Sequence, residues 1–197
     1  TDSEHEVVAF TLSRDYLKDD RFEGLPVVPF EEVETKYPPE DFHLFVPMTA
    51  SKMNRNRRSF YEEGKRKGYR FISYISSHAT VLTNNIGENC FILEDNTIQP
   101  YVSIGNNVVM WSGNHIGHHS TIADHVFFTS HIVLSGHCEV QEHCFFGVNA
   151  TIRDSSVLGE GTLIAMGAVV TKSTEPWSVY LGNPAKALGK HSLDVYK

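Results

Sequence analysis

Residues 86–169 read, in blocks of six, IGENCF ILEDNT IQPYVS IGNNVV MWSGNH IGHHST IADHVF FTSHIV LSGHCE VQEHCF FGVNAT IRDSSV LGEGTL IAMGAV. The first residue of every block is large and apolar, and the fifth is mostly small or β-branched. An α-helix would need spacings of three and four residues, and a hairpin strand would alternate every two. A hexapeptide repeat is instead typical of a parallel β-helix, in which short strands stack coil upon coil.

Composition excludes several classes of partner. The chain has 197 residues and a net charge of −7, and between Ser76 and Asn183 its only strong cations are Arg153 and Lys172. Nucleic acid is therefore not an expected partner, because phosphate binding needs clustered Lys and Arg. No apolar run reaches transmembrane length and no secretory signal opens the chain, so we expect no membrane partner and a cytoplasmic location.

The three cysteines all take the fifth, inward position of a hexad. They are Cys90, Cys138 and Cys144. We interpret them as buried small hydrophobic residues; an oxidised pair or a cysteine nucleophile is the alternative.

The first 75 residues lack the repeat and predict a small parallel α/β unit. The predicted elements are strands at 7–10, 25–28, 42–46 and 69–75, and helices at 29–37 and 51–67, with Ser51 as N-cap and Gly68 after the end. The basic residues of the second helix are interpreted as a solvated face, with phosphate binding as the alternative. The Gly-rich turn of a nucleotide-binding α/β domain does not occur in these residues, so we expect either an incomplete unit that lacks residues ahead of Thr1 or a unit that does not bind nucleotide in that way. We predict domains at 1–75 and 76–183 and a tail at 184–197.

In the left-handed β-helix that this repeat resembles, three hexads make one coil, so residues eighteen apart stack. One outward column is then large and apolar: Phe91, Val109, Phe127, Phe145 and Leu163. Such a column would be an exposed patch on a monomer, and we predict that a partner subunit covers it in a homotrimer. Cover by the N-terminal unit or the C-terminal tail is the alternative.

Histidines are concentrated in the middle of the repeat. Five share the fourth hexad position, a corner of the coil, and are interpreted as mostly structural or solvated: His119, His125, His131, His137 and His143. His118 is the only histidine at the third position. There its side chain can face a groove between subunits, and an imidazole suits general-base catalysis at neutral pH.

Three segments complete a family resemblance. The segment IGHHST at 116–121, the run GAVVTK at 167–172 and the tail LGNPAK at 181–186, with the hexapeptides, resemble the left-handed β-helix acyltransferases. The nearest branch is the sialic-acid O-acetyltransferase and bacillosamine N-acetyltransferase group, in which a small Rossmann-like domain precedes the β-helix. The resemblance therefore implies a mainly β fold: a left-handed parallel β-helix after an incomplete Rossmann-like unit.

The resemblance also implies site residues. Acetyl-CoA would lie in a groove between subunits of a homotrimer, with His118 as the base and the Gly136 N–H on the thioester oxygen. The implied CoA contacts are Gly136, Gly167, Ala168, Lys172, Asn183, Pro184 and Lys186. One departure is His119, which stands where related enzymes commonly have an acidic residue that orients the base.

The predicted function is a CoA-dependent N-acetyltransferase that acts on a nucleotide-linked amino sugar in surface-glycan (O-antigen) synthesis. The acceptor would attack the thioester directly, with no metal and no acyl-enzyme. An O-acetyltransferase is the near alternative. Two alternatives come from other classes. One is a zinc enzyme of the γ-carbonic-anhydrase type, because the histidine-rich corners could supply zinc ligands. The other is a non-catalytic β-helix scaffold.

Overall fold

A computed structural model describes residues 2–196. Its main body is a β-helix with three parallel sheets, one on each face, in which residues eighteen apart pair: Val109 with Phe127, His115 with Val133, and Ser103 with Thr121. The predicted left-handed parallel β-helix is confirmed. Each hexad supplies a two-residue strand followed by a corner, so the sequence repeat and the coil have the same period.

The strands of the three faces are as follows. The first face holds the parallel strands Tyr74–Ile75, Phe91–Ile92, Val109–Met110, Phe127–Phe128, Phe145–Phe146, Leu163–Ile164 and Ser178–Leu181, and a last strand, Lys186–His191, that pairs antiparallel with Ser178–Leu181. The second holds Ser103–Ile104, Thr121–Ile122, Glu139–Val140 and Val157–Leu158. The third holds Thr80–Val81, Thr97–Ile98, His115–Ile116, Val133–Leu134, Thr151–Ile152 and Val169–Val170.

The N-terminal unit consists of two small sheets and short helices. Its strands are Phe10–Leu12, Arg21–Phe22, Leu25–Pro29, His43–Leu44 and Arg70–Phe71, its α-helices are Val33–Lys36 and Arg55–Arg66, and its 3₁₀ helices are Arg14–Tyr16 and Phe30–Glu32. A last α-helix, Ser192–Val195, closes the chain.

Two details of this unit differ from the sequence prediction. Phe22 and Leu25 form an antiparallel hairpin, because Glu23 and Gly24 both take positive φ values of 48° and 79°, as a two-residue hairpin turn requires. The predicted strand 69–75 divides in two, and its second half, Tyr74–Ile75, pairs with the β-helix instead of with the N-terminal sheets.

The inward positions of the hexads form one continuous core, as predicted. Phe128 and Phe146 stack in neighbouring coils with ring centroids 4.4 Å apart, and Cys90, Cys138 and Cys144 are fully buried free thiols. Burial raises the pKa of Cys90 to about 11 and of Cys144 to about 12. The thiols therefore stay protonated and unreactive near neutral pH.

The outward apolar column is covered from within the chain, so the prediction of cover by a partner subunit is wrong and its alternative is correct. Phe127, Phe145 and Leu163 are only 5%, 8% and 6% exposed. The covering cluster contains Ala50 and Met53 from the N-terminal unit, Val179 from the last turn, and Leu193 and Tyr196 from the tail. The apolar pattern correctly predicted a surface that must be buried, and segments of the same chain bury it.

One buried arginine joins the N-terminal unit to the β-helix. The Arg55–Arg66 helix, hereafter the docking helix, begins after Asn54 and not at the predicted cap Ser51. Its Arg57 is fully buried and donates to the backbone carbonyls of Asn107, His125 and Val126. Burial lowers the pKa of Arg57 to about 9. The prediction that the basic side chains of this helix face solvent is therefore wrong for Arg57, which instead donates hydrogen bonds to carbonyl groups at a corner of the β-helix.

That corner carries a ladder of polar side chains in left-handed backbone, which we call the buried ladder. Its members are Asn89, Asn107, His125 and His143, with φ between 55° and 65°. Asn89 Nδ2 donates to Asn107 Oδ1 at 2.7 Å, and Asn107 Nδ2 lies 2.8 Å from His125 Nδ1. Burial, together with nearby positive charge, lowers the pKa of His125 and of His143 to about 4. These two histidines are structural, as predicted.

Among residues 2–196, no helix is long and apolar enough to cross a membrane.

Candidate active site

A second corner of the β-helix is exposed and aromatic, and we call it the open corner. Its fourth-position residues Tyr101, His119 and His137 have positive φ values of 64°, 59° and 57°. Tyr101 and His119 have ring centroids 4.6 Å apart, and His119 and His137 stack at 4.9 Å with an interplanar angle of 17°. The eighteen-residue register thus builds a column of three flat rings beside the third face.

His118 lies at the edge of this column and is exposed. Its backbone N–H donates to Gln99 Oε1 at 2.9 Å. Its Nδ1 lies 3.0 Å from His119 Nδ1, a hydrogen-bond distance that requires one nitrogen to carry the proton. When His118 Nδ1 is the donor, its Nε2 keeps the free lone pair that a general base needs.

Gly136 lies one coil beyond His118, against the imidazole. A Cβ atom on Gly136 would lie 2.9 Å from His118 Cε1 and 3.0 Å from its Nε2, closer than real Cβ contacts. Within residues 2–196 the Gly136 N–H has no hydrogen-bond acceptor, whereas the Gly136 carbonyl accepts from Ser155 N at 3.0 Å. Glycine therefore leaves room for the ring and leaves one backbone donor available near it.

The remaining predicted CoA contacts lie farther along the same β-helix. Val169–Val170 is three coils beyond His115–Ile116 on the third face, about 14 Å at the usual strand spacing. The tail returns beside this strand, because Val169 N donates to the Gly182 carbonyl and its own carbonyl accepts from Ala185 N at 2.8 Å.

The exposure of these residues separates them into two groups. Five are exposed near this end of the β-helix: Gly167, Lys172, Asn183, Pro184 and Lys186. Ala168 is fully buried at an inward hexad position, so its methyl group cannot touch a ligand outside the coil. Its N–H is also in use, donating to the Ala165 carbonyl at 3.2 Å.

Sequence reasoning did not assign a role to Tyr101, His119 or His137 at this site. The signal was available in the register, since the three positions are eighteen apart and two of them carry imidazoles next to the predicted base. What the register could not give is the direction of the His119 ring, which turns its Nδ1 toward His118.

A cavity of about 540 Å³ lies in the N-terminal unit, beside the docking helix. Its polar lining includes Thr11, Tyr16, Lys52 and Asn56, and its apolar lining includes Phe60. Thr11 Oγ1 is buried without a hydrogen-bond partner among the described residues. The cavity therefore offers a polar ligand one cation, Lys52, and the amide of Asn56, whose Nδ2 also donates to Ser51 Oγ at 3.1 Å.

The comparisons with known proteins agree with this fold. The family model described as the hexapeptide repeat of succinyl-transferase matches residues 140–172. The acetyltransferase domain of PglB from Neisseria gonorrhoeae, in complex with acetyl coenzyme A, superposes with a TM-score of 0.79 at 24% identity, covering 88% of this chain and 84% of that one. The chain therefore has the left-handed β-helix fold of that solved structure, and its residues 140–172 match the hexapeptide-repeat model.

Further relatives of this β-helix protein have the same architecture. A variant of perosamine N-acetyltransferase from Caulobacter crescentus, in complex with CoA and GDP-perosamine, gives a TM-score of 0.76 at 22% identity, with 85% of this chain and 79% of that one covered. WeeI from Acinetobacter baumannii gives 0.77 at 23% identity, with 91% and 85% covered.

A curated relative matches over a shorter stretch. The probable macrolide acetyltransferase of Lysinibacillus sphaericus is 46% identical over 48 residues, which are 24% of this chain and 27% of the relative. The chain thus aligns with about a quarter of that protein's length.

Proposed function

We propose that the chain is a CoA-dependent acetyltransferase that transfers an acetyl group from acetyl-CoA to the amino group of a nucleotide-linked sugar, in the cytoplasm and in surface-glycan synthesis. The observation that carries the proposal is the pairing of His118 with the unpaired N–H of Gly136, one coil apart at an exposed corner. A base beside a free backbone donor is what attack on a thioester carbonyl requires.

The proposed chemistry is one direct transfer. The acceptor amine attacks the thioester carbonyl, the new C–N bond forms, and the C–S bond breaks to release CoA. His118 Nε2 takes the proton from the amine, a role worth about 10² to 10⁴ in rate. The Gly136 N–H stabilises the developing oxyanion, worth roughly 3 kcal/mol for one well-placed donor.

His119 is the proposed positioning residue for this base. A carboxylate commonly fills this place in the family that the sequence resembles, and here an imidazole lies 3.0 Å from His118 Nδ1. By accepting that proton it would fix the tautomer of His118 and turn Nε2 outward. The Tyr101 ring, 4.6 Å from His119, restricts the motion of the second imidazole.

Acetyl-CoA is proposed to lie along the third face. The thioester would be at His118 and the nucleotide end near Lys172, Asn183 and Lys186, about 14 Å away, a reach that an extended pantetheine arm can span. The relatives in complex with CoA or acetyl-CoA support this donor. Ala168 is dropped from the proposed contacts because it is buried.

The acceptor is proposed to use the N-terminal unit. The cavity near Lys52 and Asn56 offers a cation and an amide that a nucleotide could engage without a Gly-rich turn. A homotrimer remains our proposal for the assembly, but it must use a face other than the covered apolar column. Sedimentation equilibrium measures the assembly directly, and a monomer at micromolar concentration would contradict it.

The test is CoA release from acetyl-CoA with a panel of UDP-, dTDP- and GDP-linked amino sugars. We expect turnover with at least one acceptor, and a loss of about 10² or more in His118→Ala. His131→Asn is the control, because it removes an exposed imidazole at another corner of the coil and asparagine tolerates the left-handed backbone of that residue. Turnover that is unchanged in His118→Ala, or absent with every acceptor, would contradict the proposal.

An O-acetyltransferase is the second candidate, favoured by the stretch shared with a probable macrolide acetyltransferase. The product distinguishes the two candidates, because mild base hydrolyses an O-acetyl ester whereas an N-acetyl amide stays intact. A γ-carbonic-anhydrase-type zinc enzyme and a non-catalytic scaffold both predict no acetyl-CoA turnover, so the same assay tests them.

A further inference from the structure

The open corner brings three histidine side chains together: His118, His119 and His137. One ring nitrogen from each lies within 4.8 Å of the other two. His118 and His137 meet edge to face with centroids 5.0 Å apart, and all three rings are exposed to solvent. Imidazole nitrogen is a preferred ligand of zinc and of neighbouring transition-metal ions.

The backbone holds this group with little freedom. His119 and His137 take the same left-handed conformation in adjacent coils of one parallel sheet, and the backbone N–H of His137 donates to the His118 carbonyl at 2.9 Å. Tetrahedral zinc with Zn–N bonds of about 2.0–2.1 Å places ligand nitrogens about 3.3 Å apart. The three nitrogens lie within 4.8 Å of one another, so each pair must approach by at most about 1.5 Å to reach that spacing, and all three rings are exposed side chains.

The net charge of the β-helix as a whole suits a divalent cation. Between Ser76 and Asn183 the chain has nine Asp and Glu residues against Arg153 and Lys172. In the hydrogen bond between His118 Nδ1 and His119 Nδ1 the accepting nitrogen carries no proton, so its lone pair can bind a metal ion that displaces this hydrogen bond.

We propose that the open corner is a regulatory metal site: a Zn²⁺ ion binds His118, His119 and His137 and inhibits the enzyme reversibly. A neutral imidazole has a single free lone pair. Coordination at either nitrogen of His118 uses that lone pair, and the ring can no longer accept a proton from the acceptor. The metal binding stands on the histidine geometry alone, whereas the inhibition rests on the proposed function.

Two substitutions introduce a residue that tolerates the left-handed backbone at the substituted position. His137→Asn removes one ligand and keeps a residue type that this chain already uses in left-handed corners, at Asn107 and Asn149. His131→Asn is the matched control, since His131 is exposed at the same hexad position of another corner, with a φ of 60°.

The experiment is calorimetric titration of tag-free protein with ZnCl₂, followed by CoA release measured chromatographically with and without zinc. We expect one Zn²⁺ per chain, binding at least about tenfold weaker in His137→Asn, and unchanged binding in His131→Asn. Each variant's rate is compared with its own metal-free rate. Zinc should inhibit the wild type, a chelator should restore it, and the inhibiting concentration should rise at least about tenfold in His137→Asn.

The outcomes separate this site from the proposed function. No saturable binding, or equal binding by His137→Asn and the wild type, overturns the site. Activation by zinc in place of inhibition overturns the proposed inhibitory role of the site. One-to-one binding that depends on His137, in a protein with no detectable acetyl-CoA turnover, supports the site while the proposed function fails.

Discussion

The contact between Gly136 and His118 makes Gly136→Ala a sharp test of the proposed catalytic pair. The added Cβ would lie 2.9 Å from Cε1 and 3.0 Å from Nε2 of the imidazole, whereas carbon atoms normally approach to about 3.5–4.0 Å. The ring must therefore move by roughly 0.6–1 Å. Because a displacement of about 1 Å at a reacting group costs about 10²-fold in rate, we expect kcat to fall about 10²-fold.

This variant should still fold. The two closest atoms belong to the far end of an exposed side chain, the third is the His118 carbonyl oxygen at 3.2 Å, which must shift by a few tenths of an ångström, and the Gly136 backbone does not have the positive φ that disfavours alanine. The N–H that is proposed to bind the oxyanion also remains. Ser130→Ala, at the same hexad position of another corner, is the matched control and should keep both the rate and the thermal midpoint of the wild type.

The double variant His118→Ala/Gly136→Ala decides the mechanism of the loss. If the new methyl acts by displacing the imidazole, removing the ring makes the methyl harmless, and the double variant should match His118→Ala alone. CoA release with saturating acetyl-CoA and acceptor gives the rates. Additive losses, or a Gly136→Ala rate within about twofold of the wild type, would refute the proposed contact.

Three further predictions concern stability. Arg57→Met should lower the unfolding free energy by about 3 kcal/mol in urea titration, because several buried carbonyls lose their donor, whereas exposed Arg66→Met should change it by less than about 0.5 kcal/mol. Burial lowers the folded-state pKa of His125 and His143 to about 4, below about 6.5 in the unfolded chain. The free energy of unfolding should therefore fall as pH falls from about 6.5 to 4, by on the order of 1–3 kcal/mol for each histidine. The double variant His125→Asn/His143→Asn should make the free energy of unfolding depend less on pH over this range. An unchanged pH dependence would contradict the proposal that these two histidines are buried in the neutral form. Phe127→Ala should cost about 3–5 kcal/mol at every protein concentration, because its cover comes from the same chain; a loss that varies with concentration would point to a subunit interface.

The sequence was sufficient to predict the coil and its register. A two-residue strand in every hexad fixes which side chain points inward, so the burial of Ile116, Phe128 and Cys138 followed from the repeat alone. The eighteen-residue register also predicts that Gly136 lies one coil from His118, and the pairing of His115 with Val133 confirms that register. Local periodicity determines these features, and periodicity is directly visible in the residues.

What covers an outward surface could not be predicted in the same way. The column that includes Phe127 was correctly identified as apolar, but the repeat contains no information on whether Met53, Tyr196 or another subunit packs on it. The predicted start of the docking helix was wrong for a related reason. Ser51 has the chemistry of an N-cap, yet the helix begins after Asn54, whose side chain donates to the His143 carbonyl at 3.1 Å in a long-range contact.

The corners show how one backbone position can serve different purposes. Asn107, His125 and His119 all take the left-handed conformation that short polar side chains tolerate, so the coil constrains their backbone equally. Under the docking helix, burial holds His125 neutral and the ladder is structural. At the open corner the same conformation leaves the His119 ring exposed and turned toward His118. The N-terminal unit thus decides which histidines can exchange protons with solvent, because it covers one corner and leaves the other open.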